Sequence, residues 1–217
     1  DSDVVTAALF SENTGEISGM FTSSAQSQSS GEYYLDLYQK DPSTNNNQEI
    51  QFAIAYGHFK GSGSAVPQYA SVGFSPSRAV YKQYANTLLN AGDEQFTVTS
   101  VHPSSSANLE QFYAINFQRT RMKEKIDPGN WELHVSGNTA PIKLIDDSTV
   151  SDGTVTEAGR QYFIRSGTID AGLFSGDTAH YGVVYPDMGT IILDPAALSG
   201  EVGLNINSSS FAYSSTP

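Results

Sequence analysis

The stretch YGVVYPDMGTIILD, residues 181–194, decides the fold. Two short apolar runs, YGVVY and TIILD, flank Pro186-Asp187-Met188-Gly189. Proline pre-sets the backbone angle that a reversing turn needs, and glycine accepts the positive φ that closes it. The stretch therefore predicts a β-hairpin.

Working outward, runs of the same character recur at EYYLDLY (32–38), QFAIAYGH (51–58), QFTV (95–98), FYAINF (112–117), WELHV (131–135), PIKLI (141–145) and QYFIRS (161–166). In EYYLDLY, Leu35 and Leu37 fall on one face and Tyr34, Asp36 and Tyr38 on the other. In QFAIAYGH, Phe52, Ile54 and Tyr56 oppose small alanines. Strands of this length, separated by Gly, Pro, Asn and Ser clusters, indicate a sheet-dominated chain. The polar stretches at 22–31, 41–48, 61–73, 102–108 and 146–154 read as exposed loops.

One segment breaks the pattern. SPSRAVYKQYANTLLNAG (75–92) offers Ser75 as N-cap, Pro76 at the first helical position and Asn90 to Gly92 as a stop. Val80, Tyr81, Tyr84, Ala85, Leu88 and Leu89 recur at three- and four-residue spacing, which predicts an amphipathic helix packed on the sheet. The fold class is thus mainly β: an antiparallel, β-sandwich-like domain with one amphipathic α-helix over about 76–90. Residues 1–217 read as a single β-rich structural domain, with a polar ending that suits the N-terminal part of a longer polypeptide.

A chain of 217 residues can bury roughly 70% of its unfolded surface, so its core needs no disulfide or metal staple. Cysteine is absent, which removes thiolate chemistry and Cys-containing zinc sites. Eleven Lys and Arg stand against twenty-three Asp and Glu, and a net charge of -12 argues against stable nucleic-acid binding. No run approaches the roughly 18 apolar residues of a membrane span, so no membrane insertion is expected.

Four of the eleven cations crowd into FQRTRMKEKIDPGNWEL (117–133), where Arg119, Arg121, Lys123 and Lys125 occupy every second position. On a strand, alternate residues share one face and would form a single basic row. Asp127-Pro128-Gly129-Asn130 reads as a turn and WELHV as a returning strand, which sets Lys125 opposite Glu132 and Ile126 opposite Trp131. The bland reading is a solvated hairpin whose charges guard its edge. The sharper one is a projecting hairpin, with Arg119, Arg121, Lys123, Lys125 and Trp131 as interface residues docking on an acidic neighbouring subunit. DNA contact is the third reading, which the overall charge disfavours.

Tests for chemistry find little. His58, His102, His134 and His180 are dispersed and read as hydrogen-bonded structural histidines. KGSGS (60–64) lacks the Gly-Lys-Ser/Thr ending of a phosphate loop. No G-x-S-x-G elbow occurs. Asp146, Asp147, Asp152 and Glu157 fail the calcium-loop spacing and read as a solvated loop. No catalytic, metal or cofactor residue is assigned, and the expectation is a protein that is not an enzyme and needs no cofactor.

Several longer blocks carry a resemblance: EYYLDLYQKDP, QFAIAYGHFKGSGS, PSRAVYKQYANTLLNAGDEQFTV, YAINFQRTRMKEKIDPGNWEL, KLIDDS, YFIRSGTIDAG and HYGVVYPDMGTIILDPAALS. In order, over about 30–200, they resemble virion structural proteins of contractile-tailed phages of marine cyanobacteria (cyanomyoviruses). The resemblance implies a non-enzymatic component of the tail or baseplate, resident in the virion and assembled in the host cytoplasm. Its partners would be other virion structural proteins and copies of itself. A capsid-associated role, a fibre or tip protein binding host-surface polysaccharide through loops at 41–48 or 66–74, and a tail-associated depolymerase are the alternatives. Twelve Tyr and eleven Phe suit either a large core or aromatic interface anchors.

Overall fold

The computed structural model describes residues 20–22, 34–38, 50–60, 76–103, 105–117, 119–122, 124–135 and 142–202. Its strands are β1 (Met20–Thr22), β2 (Tyr34–Tyr38), β3 (Ile50–His58), β4 (Gln111–Phe117), β5 (Leu133–Val135) and β6 (Ile142–Asp146), followed by β7 (Thr154–Thr156), β8 (Gly159–Thr168), β9 (Gly172–Leu173), β10 (Gly182–Tyr185) and β11 (Thr190–Leu193). Among the described residues three α-helices accompany them: α1 (Pro76–Leu88), α2 (Arg119–Met122) and α3 (Pro195–Val202).

The hairpin over 181–194 is present. β10 and β11 pair antiparallel, with Gly182 opposite Leu193 and Tyr185 opposite Thr190. A single 3-10 turn over Pro186–Met188 joins them, closed by Gly189 at φ 65°. This hairpin sits at the centre of the sheet, whose order is β1-β2-β3-β4-β11-β10-β8-β6-β5, with β7 and β9 also paired to β8. The sheet is antiparallel and curls into a half-barrel. The two apolar layers of the sandwich-like core are thus the two faces of one continuous sheet.

The central strands read as unbroken apolar runs because both of their faces are covered. Ile191, Leu193 and Val184 join Phe52, Ile115, Leu144 and Ile164 in one cluster. Ile192, Val183 and Tyr185 join Phe112, Phe96 and Ala55 in the other. Helix α1 covers this second face with Tyr81, Ala85 and Leu88. Tyr81 locks the helix there, since its hydroxyl donates to the Leu109 carbonyl at 2.6 Å and accepts from the Phe96 amide at 3.2 Å. Gly57 makes room for the aromatic layer: a Cβ there would lie 2.6 Å from Cζ of Phe112.

The mainly β reading and the amphipathic helix at 76–88 agree with the structure, which adds two short helices the periodicity did not announce. QFTV is not a ladder strand; it is an irregular segment with one isolated bridge, Thr97 to Asn108. Asp146 and Asp147 do not belong to a solvated loop: both are buried, at 0% and 6% exposure. Among the described residues no helix is long and apolar enough to cross a membrane. The loops expected at 41–48 and 61–73, most of 22–31 and the polar ending lie outside the described residues.

Candidate functional site

The cationic segment takes a different course from the extended arm expected of it. Arg119–Met122 is a turn of α-helix, so alternate residues cannot share one face as they would on a strand. The path is set by the turn between β10 and β11. Phe117 donates its amide to the Gly189 carbonyl at 3.0 Å, and Ile126 donates to the Pro186 carbonyl at 3.1 Å. Arg119 Nη1 donates to the Asp187 carbonyl at 2.8 Å. Met122 packs so closely over Gly189 that a Cβ there would lie 2.2 Å from its sulfur. Phe117, Arg119, Met122 and Ile126 therefore strap the central hairpin turn, and the described part of the segment does not project from the sheet.

The remaining expectations for this segment divide. The turn at Asp127 to Asn130 is present, with Asn130 N–H donating to the Asp127 carbonyl at 3.1 Å. The Lys125–Glu132 pairing is not: Glu132 instead accepts from the Ile169 amide at 2.6 Å and meets His134 at 2.8 Å. Those contacts hold the Glu132 carboxyl below its ordinary range. Trp131 is half-buried and packs against the first core cluster, so its ring faces inward. Lys125 is exposed. Lys123 and the Arg121 side chain lie outside the described residues.

Buried ionisable groups are engaged mainly by the backbone. Asp146 accepts from the amides of Gly129 (2.9 and 3.1 Å) and Ser148 (3.0 Å), tying the 127–130 turn to β6. Asp147 accepts from the Phe163 amide at 3.0 Å; burial raises its pKa and that hydrogen bond opposes the rise. Asp194 caps α3 by accepting from Ala196 N–H at 2.9 Å, and it also accepts from the Ser105 hydroxyl. Burial raises its pKa too, against those donors. His58 Nδ1 accepts from the Lys60 amide at 3.1 Å, and burial lowers the pKa of its ring. His180 Nδ1 accepts from the Ser100 amide at 3.3 Å. Burial, then the Arg165 guanidinium, hold His180 down at about 4. The structural-histidine reading is supported for these residues, although His102 and His180 lie outside the main strands. Among the described residues no group of three or more His, Asp or Glu is placed to hold a metal ion.

What the sequence reading missed is a cleft of about 210 Å³ between the segment that follows α1 and the β7–β8 hairpin. Thr97 and Thr99 form one wall, Thr154 and Thr156 the other, and Phe96 and Tyr185 lie beneath. The Tyr185 hydroxyl donates to Gln161 Oε1 at 2.8 Å across the floor. Burial, and then the Asp93 carboxylate, push the pKa of Tyr185 upward. One end is closed where Glu157 N–H donates to Asn90 Oδ1 at 3.0 Å. The signal in the sequence was alternation: QFTVT and TVT each put threonines on one side. Nothing in either stretch said that the two would face each other.

No protein-family model, no curated protein and no solved structure matches this chain.

Proposed function

We propose that this chain is a non-catalytic structural component of a tailed-phage virion, in its tail or baseplate, acting by subunit docking. The observation that carries the proposal is where the blocks of resemblance fall. QFAIAYGH ends β3, YAINF lies within β4, and HYGVVYPDMGTIILD holds the central hairpin. PSRAVYKQYANTL is α1. These blocks fall on the buried framework, so the resemblance rests on core-forming stretches, and a non-catalytic building block is what that resemblance implies. The chemistry is compatible, since the carboxylates of Asp146, Asp147 and Asp194 hold turns and a helix end together. Carboxylates engaged by backbone donors in this way support structure and are poorly placed for proton transfer.

Docking would use charge. The 119–125 segment gathers cations on a chain of net charge -12, so copies of the protein can meet basic strap to acidic surface. Arg119 and Met122 hold their part of this segment against the central turn, which lowers the ordering cost of contact. Imaging of intact particles by cryo-electron microscopy, with this chain fitted into the map, tests the reading. It expects repeated copies in the tail or baseplate, in contact with one another or with other virion proteins. Particles without this chain would overturn it.

A further inference from the structure

We propose that the cleft between the α1 exit and the β7–β8 hairpin binds one neutral sugar ring, through its hydroxyls. This goes beyond the docking reading and does not depend on it, since the residues that form the cleft all come from this chain. Three observations argue for it.

The first is the donor and acceptor set. Thr97, Thr99 and Thr154 are exposed at the rim, while Thr156 and Gln161 are half-buried further in. The hydroxyls of Thr97, Thr99 and Thr154 can both donate and accept, as a sugar hydroxyl does, and the Gln161 amide keeps its two N–H donors while its Oε1 accepts from Tyr185. Thr156 Oγ1 is already engaged with the Gly159 carbonyl and the Ala158 amide, so it shapes the wall and is not counted among the ligand groups. An apolar ligand would strip water from these groups and return no hydrogen bond in exchange. A polyol restores each hydrogen bond that the displaced water had made.

The second is charge. No Lys or Arg is among the residues that line the cleft, and Asp93 stands at its edge. A phosphate, sulfate or carboxylate would find no counter-charge there and a repelling one nearby. Asp93 alone is too few ligands for calcium, which takes six to eight oxygens. These side chains therefore disfavour an anion, and the hydroxyl and amide groups match the hydroxyls of a neutral polyol.

The third is size and shape. About 210 Å³ falls below the roughly 300–1,000 Å³ of drug-sized sites, so the cleft admits one ring rather than an oligomer. The floor also disfavours a nucleobase. Phe96 and Tyr185 are 1% and 0% exposed, so neither offers an open ring face for stacking. They supply instead a firm apolar base beneath polar walls. Affinity from so few contacts should be about millimolar, weak alone and useful only when many copies act together.

The test is a titration of the full chain, followed by amide NMR shifts, with the methyl glycosides of glucose, galactose, mannose and N-acetylglucosamine. Glucuronate serves as the anionic comparison. Saturable shifts at Thr97, Thr154, Gln161 and Tyr185 with at least one neutral glycoside, and weaker binding of glucuronate, are expected. Thr97→Val keeps the shape of the wall and removes its hydroxyl, and should weaken binding about fivefold to tenfold. Gln161→Ala should weaken it at least as much, and Thr97→Val stands as the informative variant if Gln161→Ala fails to fold. The proposal is overturned by no saturable shift in the cleft with any neutral glycoside, by glucuronate binding as tightly, or by Thr97→Val binding unchanged.

Discussion

His180 shows how a single side chain makes this fold sensitive to acid. Its ring stacks on Phe163 with centroids 4.1 Å apart, and its main chain joins Ser100 through a 2.8 Å hydrogen bond. The same ring accepts the Ser100 amide on Nδ1, so protonation at that nitrogen would turn an acceptor into a donor facing another donor. Burial, with Arg165 adding repulsion, lowers its pKa from 6.5 to about 4. The folded state therefore binds this proton less readily than the unfolded chain does. The stabilisation is fully present above pH 6.5 and is lost as the pH falls from there toward 4. The slope is about 1.4 kcal/mol per pH unit, so between pH 6.5 and 5 the contribution falls by about 2 kcal/mol. Urea unfolding of the parent and of His180→Asn at both pH values checks this, because asparagine keeps an acceptor near Nδ1 and cannot titrate. The parent should lose more stability than the variant over that interval. Equal losses would place the acid sensitivity elsewhere, for instance among the carboxylates.

At the scale of elements, α3 shows how a short helix can be built without a strong periodic signal. Its eight residues, PAALSGEV, contain one glycine and no basic residue in the last turn, and it was not foreseen. Its start is fixed by Asp194, with Pro195 in the first helical position, a favourable N-cap pair. The other carboxylate oxygen reaches back to Ser105, so one side chain fastens the helix to the loop that precedes β4. Asp194→Ala should cost about 2 kcal/mol, combining a lost cap with the lost hydrogen bond from the half-buried Ser105 hydroxyl. For a chain of this length that is a fall of roughly 4–8 °C in melting midpoint by calorimetry. Asp194→Asn retains the acceptor for Ala196 and should recover most of the loss; an equal drop for both variants would mean that the carboxylate charge, not the cap, matters. The same element explains what the sequence did and did not disclose. TIILD displayed its strand through uninterrupted apolar residues, and Asp194 was visible only as that strand's last letter. That it also begins a helix depends on Ser105, eighty-nine residues away. The alternation that revealed β3 and β4 is local, as is the three-to-four spacing of α1. The burial of Asp146 and the facing of Thr97 by Thr154 are long-range consequences of strand order, which periodicity does not encode.

For the molecule as a whole, the question is why an acidic chain keeps a cationic strap across its central turn. An extended arm would have explained the alternating charges by aligning them; the helical turn at Arg119–Met122 removes that explanation. Arg119 has an internal role, holding the Asp187 carbonyl, while Lys125 remains exposed. The useful charge reversal therefore spares Arg119 and changes Arg121, Lys123 and Lys125 to Glu. If the strap docks on an acidic neighbour, like charges brought together there cost several kcal/mol, and incorporation into particles should fall at least about tenfold. Assembly of the parent should also weaken as salt is raised, because exposed pairs are screened beyond about 10 Å at 0.1 M. The docking reading assigns these charges to the neighbour, so it expects the isolated variant to melt close to the parent. Quantifying the chain in purified particles, beside calorimetry of the free protein, separates the outcomes. Normal incorporation of a folded variant would leave the strap as a clamp on its own hairpin and nothing more. Reduced incorporation with an unchanged melting midpoint would assign its charge to the neighbour.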